Sequence, residues 1–130
     1  MESFKFKFIE DIIVVKVDLV VATLRDAKPF WEEMEKGAIF NQEKIIVDLS
    51  ACTYVDSTFI GIIIKMFRKV AEKKNQLKLV YPQKDILINF WAFGLTKVIE
   101  CFETLKEAAD SFDSKFISWR TNFDEEYYRN

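Results

Sequence analysis

The stretch Ile45-Ile46-Val47-Asp48-Leu49-Ser50-Ala51-Cys52-Thr53-Tyr54-Val55-Asp56-Ser57-Thr58-Phe59-Ile60-Gly61 narrows the possible folds more than any other part of the chain. An apolar, β-branched run ends in Asp48, a short polar segment follows, and Asp56-Ser57-Thr58 opens a second, longer apolar run. The first run reads as a buried strand over Lys44–Leu49. The second places Ile60, Ile63, Ile64, Phe67, Val70 and Ala71 at three- and four-residue spacing, with Lys65, Arg68, Lys69, Glu72 and Lys73 on the other side. That period predicts a helix over Ser57–Asn75. The β-branched content of Phe59–Ile64 also suits a strand, but the later period and the Asp-Ser-Thr start favour a helix. Asp56, Ser57 and Thr58 carry the oxygen acceptors that free amides at a helix start require. Ile62 and Met66 fall off the main stripe, which predicts an exposed apolar edge.

Around this unit the same alternation repeats. Phe4, Phe6 and Phe8 alternate with Lys5 and Lys7, the two-residue period of a strand with one apolar face. Glu10-Asp11 makes a turn, and Ile12–Val17, extended by Asp18-Leu19-Val20-Val21, completes a hairpin whose second strand is buried on both faces. Asp26, before Ala27, Lys28 and Pro29, reads as a helix start, with Pro29 confined to the first turn where its missing N–H does no harm. Phe30, Met34 and Trp31 form that helix's buried face, and Gly37 ends it. Gln76–Tyr81 is a strand, Lys84–Phe93 a short helix, Lys97–Phe102 a last strand and Thr104–Phe112 a last helix. Strands alternate with helices of crossover length, so the chain is expected to form one α/β domain. Residues 113–130 are polar and aromatic without a clear period.

Composition removes whole classes of chemistry. With 130 residues and half of them apolar, the chain suits a single domain with a substantial core. Its net charge of -2 offers no basic footprint for nucleic acid. No apolar run approaches the length of a membrane span, and the amino end lacks the apolar core of a signal peptide, so the expected location is cytoplasmic. Cys52 and Cys101 sit among apolar residues and read as buried free thiols. The chain contains no His, which removes the commonest general base and the usual zinc sets. Its three glycines cannot make a phosphate-cradling loop. No cofactor and no metal are expected.

Two readings of Asp56-Ser57-Thr58 remain open. The plain one is a helix cap. The functional one makes Ser57 or Thr58 a phosphate acceptor, since the helix dipole and free amides tolerate a dianion there. Asp48 could be a phospho-acceptor at a strand end, but Asp18 and Glu10-Asp11 do not pair convincingly for Mg²⁺, and Lys97 precedes the last strand. Its plainer role is to cap a turn. Ser57 as a nucleophile has no base and no Gly-x-Ser-x-Gly elbow.

The segment Asp48-Leu49-Ser50-x-x-x-Tyr54-Val55-Asp56-Ser57-Thr58-Phe59-Ile60-Gly61 resembles the signature of STAS domains, the bacterial anti-sigma factor antagonists. Downstream, Phe90-x-x-Phe93-Gly94-Leu95-x-x-Val98-Ile99-x-x-Phe102-x-Thr104-x-x-Glu107-Ala108 is similar to the same family, and the likeness spans about residues 4–112. It implies a mixed four- to five-stranded sheet with an N-terminal hairpin and about four helices, in a domain of residues 1–112. Residues 113–130 form an extension outside it. It also implies a switch protein. The antagonist binds an anti-sigma factor that is also a serine kinase. Phosphorylation at Ser57, or secondarily Thr58, turns it off, and a PP2C-type phosphatase resets it. Catalysis would then belong to the partner.

The resemblance places Asp56, Asp48, Thr23 and Asp26 around the phosphosite, and Phe59, Ile60, Ile62 and Met66 on the partner-binding surface. Two positions depart from the family pattern. Phe59 stands where the motif has its first Gly, so a ring beside the acceptor would alter a kinase's approach or contact a different partner. Thr23 stands where the family often has an Asp, with Asp26 nearby. A scaffold or small-ligand-binding STAS module without a phosphorylation cycle is the alternative function, and an enzyme a weaker third.

Overall fold

Alternating Phe and Lys at the amino end produce the first strand of a mixed sheet. The structure, a computed structural model, describes residues 2–82 and 94–112. Strands β1 (Phe4–Ile9) and β2 (Ile12–Val17) form an antiparallel hairpin in which Phe4 faces Val17 and Ile9 faces Ile12. Strands β4 (Lys44–Asp48), β6 (Gln76–Val80) and β7 (Cys101–Phe102) then add in parallel, giving the order β1-β2-β4-β6-β7. A separate parallel pair joins β3 (Val21–Ala22) to β5 (Tyr54–Val55). Among the described residues the α-helices are α1 (Leu24–Lys36), α2 (Ser57–Glu72), the single turn α3 (Leu95–Val98) and α4 (Leu105–Asp110). This is the mixed α/β sheet with an N-terminal hairpin that the sequence implies.

Parallel connections place α1, α2 and α3 on one face, as right-handed crossovers do. Their side chains Phe30, Met34, Phe59, Ile63, Met66 and Leu95 join the inward residues of the strands in the larger core cluster. Phe30 packs edge-on against Phe4 and tilted against Phe59, with ring centroids 5.2 Å apart in each pair. The outer face carries a second cluster in which Ala108 and Ala109 of α4 meet Ile9, Ile12, Val14, Ile46 and Val80.

Several boundaries differ from the sequence reading. The second strand does not run on to Val21. Asp18 N–H bonds to the Ser3 carbonyl at 2.7 Å, closing the hairpin, and the Val20 carbonyl accepts from Thr53 N at 2.7 Å, so the chain leaves the main sheet to make the small one. Helix α1 starts at Leu24 rather than at Asp26. Thr23 is its cap, and Asp26 is the third helical residue, whose Oδ2 accepts the Thr23 N–H at 2.9 Å. Pro29 therefore lies in the second turn, on the exposed side, where water can take the place of the missing donor to the Arg25 carbonyl. Lys97 and Val98 belong to α3, not to a strand, and β7 is only Cys101–Phe102. Gly94 enables that turn by adopting a φ of 71°. In α2 the expected Ile60, Ile63 and Val70 are buried, but Phe59 and Met66 complete the stripe, while Ile64 and Phe67 are half-buried and Ala71 is exposed. The predicted helix over 84–93 and the extension over 113–130 lie outside the described residues.

Candidate functional site

Strands β3 and β5 lie side by side, with Val21 opposite Tyr54 and Ala22 opposite Val55. Each is followed almost at once by a helix, so the amino ends of α1 and α2 are brought together. Asp56 joins them. Its N–H donates to the Ala22 carbonyl at 3.0 Å. Its Oδ1 accepts from Phe59 N at 2.9 Å, which caps α2, and its Oδ2 accepts from Leu24 N at 2.9 Å, which satisfies the first amide of α1. Thr23 and Asp26 complete the cluster through the bond between the Thr23 N–H and the Asp26 carboxylate.

Ser57 and Thr58 are the first two residues of α2, and both are exposed. Their amides precede any carbonyl that the helix could offer, so the positive end of the dipole opens beside the two hydroxyls. One helical turn on, Gly61 is exposed, and a Cβ added there would meet nothing within 4 Å. The α2 backbone beside Ser57 is therefore open to close approach.

Asp48 has a different job. Sheet alternation turns its side chain toward the outer face, and its Oδ1 accepts from Ser50 N at 2.9 Å in the turn that leaves β4. It is buried and holds that turn, so of the four acids and hydroxyls expected around the phosphosite it is the one that does not join the helix starts.

The side chains expected on the partner surface lie mostly inside the fold. Phe59, Ile60 and Met66 are buried in the inner core, Phe59 completely, and only Ile62 is half-buried. The Phe59 ring points toward Phe30, so the bulky departure from the family motif faces inward rather than toward an approaching kinase. Exposed apolar side chains instead surround the helix starts: Leu24 at 68% exposure, Val20 at 64%, Val21 and Tyr54. All four come from the segments leading into α1 and α2. The signal for them in the sequence is faint: Val20 and Val21 read as the end of the second strand, and Leu24 and Tyr54 fall outside any period.

Among the described residues, no three His, Cys, Asp or Glu side chains lie close enough to hold a metal ion. Among the same residues, no helix is long and apolar enough to cross a membrane. Cys52 is a buried free thiol whose pKa is pushed up to about 12, first by burial and then by the negative charges of Asp48, Asp18 and Asp26. That suits a structural rather than a nucleophilic cysteine.

A family model described as the STAS domain matches residues 5–108. A Thermotoga maritima protein, named provisionally as an anti-sigma factor antagonist, is 22% identical over 116 residues, covering 86% of this chain and 99% of that one. A crystal structure of a provisionally named anti-sigma factor antagonist from Thermotoga maritima superposes with a TM-score of 0.75 at 18% identity, over 83% of this chain and 92% of that one. The anti-sigma factor antagonist SpoIIAA, in its unphosphorylated form, superposes with a TM-score of 0.69 at 15% identity, over 85% and 96%. At these identities the structural likeness is one of fold.

Proposed function

The chain belongs to the STAS domain family, and from that premise we propose that it is an anti-sigma factor antagonist switched by phosphorylation of Ser57. In this reading it binds an anti-sigma factor that is also a serine kinase, and so frees a sigma factor. The observation that carries the reading is the position of Ser57: an exposed hydroxyl at the first residue of α2, within a rim formed by Val20, Val21, Leu24 and Tyr54. A partner seated on the rim covers Ser57. Phosphorylation there adds a charge of about -1.5 to -2 to an apolar contact and beside the Asp56 carboxylate, so it breaks the complex without unfolding the domain. Thr58 is the secondary acceptor. A PP2C-type phosphatase would reset the cycle.

The protein is then a substrate and a binding partner rather than an enzyme. Its relatives named as anti-sigma factor antagonists and the description of SpoIIAA in an unphosphorylated form support this reading. A cytoplasmic site of action follows from the proposed partner.

Intact-mass measurement after incubation with ATP and the anti-sigma factor kinase tests the proposal, together with pull-down of wild type, Ser57→Ala and Ser57→Asp. The expected result is a single phosphate on the wild type, none on Ser57→Ala, and loss of binding by Ser57→Asp. A wild type that takes no phosphate, with Ser57→Asp binding as well as wild type, would leave a scaffold without a phosphorylation cycle.

A further inference from the structure

Lys5, Lys44, Lys78 and Lys106 each have a carboxylate oxygen at 2.9, 2.9, 3.6 and 3.0 Å. Three cations of α2 differ. Lys65, Arg68 and Lys69 have no ion-pair partner among the described residues, although Glu72 lines the same shallow hollow of about 450 Å³ with them and Trp31. Lys65 and Lys69 stand four residues apart, a spacing at which like charges on a helix repel. Both ammonium groups nonetheless converge on one ring: Lys65 Nζ lies 4.6 Å and Lys69 Nζ 5.6 Å from the Trp31 centroid. Phe40, whose ring centroid is 4.8 Å from that of Trp31, lies 5.0 Å from Lys69 Nζ. The aromatic pair orients the cations without neutralising them. Lysines in the second half of a helix also complement its dipole, but that role needs neither the ring nor the convergence. The whole chain carries a net charge of -2, so the positive patch is local. It is also continuous with the candidate acceptor. At 3.6 residues per turn, Ser57, Gly61, Lys65 and Arg68 fall within about 80° of one another on α2, and Arg68 stands about 16 Å along the axis from Ser57. All four are exposed.

We propose that the protein partner covering Ser57 carries an acidic segment, which lies along this exposed ridge of α2 and seats its carboxylates on Lys65, Arg68 and Lys69. It rests on the reading of Ser57 as an acceptor covered by a partner, and it gives that partner's surface a charge. Gly61, where nothing stands in the way, lets the segment pass close to the helix between the acceptor and the cations. Ion pairs on an exposed ridge are screened by salt and act more on the encounter than on the lifetime of a complex. The cations therefore steer and orient the partner, and the apolar rim of Val20, Val21, Leu24 and Tyr54 holds it.

Stopped-flow association of the full chain with the anti-sigma factor, at about 50 and about 300 mM salt, tests the assignment. The wild-type on-rate should fall about tenfold over that range. The double variant Lys65→Glu, Lys69→Glu should associate about tenfold more slowly at the lower salt, with a flattened salt dependence and a dissociation rate within about threefold of wild type. Arg68→Glu changes a side chain with no ring or ion-pair contact, and should slow association about threefold. It decides the matter if urea melts show the double variant to be unfolded. Wild-type on-rates and salt dependence in the folded variants would overturn the acidic segment and leave the reading of Ser57 intact. A wild type that forms no complex at either salt would overturn both. Zero-length carbodiimide cross-linking of the complex gives a second readout. Links from Lys65 or Lys69 to Asp or Glu residues of the anti-sigma factor are expected. Links from these lysines to residues 113–130 or to a second copy of this chain, in place of the anti-sigma factor, would overturn the proposal.

Discussion

The Asp56 carboxylate accepts the Leu24 N–H at 2.9 Å across thirty-two residues of sequence. With its second oxygen on Phe59 N, the same group caps one helix and satisfies the first amide of another. The two helix starts that frame Ser57 are thereby held at one separation by one side chain. A displacement of α1 would be felt at the candidate acceptor.

Asp56→Ala should cost about 1.5–3 kcal/mol, the sum of a lost cap and a second lost hydrogen bond. Asp56→Asn retains one acceptor oxygen and should cost about half as much. Urea denaturation of the three chains checks both. A cost below about 0.5 kcal/mol for Asp56→Ala would mean that water replaces the carboxylate at both helix starts.

Phe59→Ala should destabilise the fold by about 3–5 kcal/mol, because the ring is fully buried against Phe30. Affinity of the remaining folded protein for its partner should change little. If binding fell sharply while the denaturation midpoint held, the ring would have to face the partner after all.

Leu24→Ala and Tyr54→Ala should do the reverse. Both side chains are exposed, so stability should stay within about 0.5 kcal/mol of wild type. Each should weaken partner binding by about fivefold or more if the rim is the docking surface. Calorimetric titration with the anti-sigma factor measures this, and wild-type affinity in both variants would move the interface elsewhere.

Gly61→Ala should stabilise α2 by about 0.5–1 kcal/mol, since the added methyl meets nothing in the folded chain. A larger residue such as Gln at this position should leave folding intact and weaken the complex, because it stands one turn above Ser57. A complex indifferent to Gly61→Gln would show that the partner does not approach the helix backbone there.

Alkaline stability should fall between about pH 9 and 12 in part through Cys52. Its pKa rises from 9.0 to about 12 on folding, chiefly because the thiol is buried. In that window the unfolded thiol has lost its proton and the folded one keeps it, so the unfolded state binds fewer protons. Stability then drops by up to about 1.4 kcal/mol per pH unit for this group. The Cys52→Ala chain should show a shallower decline over the same range in pH-dependent urea melts, and an identical slope would place the titration on other groups.

Residue periods alone determined the main strands β1, β2, β4 and β6 and the helices α1, α2 and α4, but not the small β3–β5 pair or the turn of helix at Leu95–Val98. The Phe–Lys alternation of β1, the β-branched runs of β2 and β4, and the capped apolar repeat of α2 each state their structure locally, because strand and helix periods are properties of neighbouring residues. Ser57 was legible as an exposed hydroxyl at a helix start for the same reason. What lay beyond the sequence was every relation between segments distant along it. Asp26 looked like a cap, and only the fold shows it to be the partner of Thr23. Phe59 and Met66 looked like contact surface, and only the packing of α1 over α2 shows them to be core. Leu24 of α1 and Tyr54 of β5, thirty residues apart, became one rim because two short strands pair and one carboxylate bridges two helices. A period reveals that a helix has a buried side, but the exact direction of that side is set by the neighbour it packs against, and here it kept Ile60, Ile63 and Val70 while turning toward Phe59 and Met66 and away from Ala71.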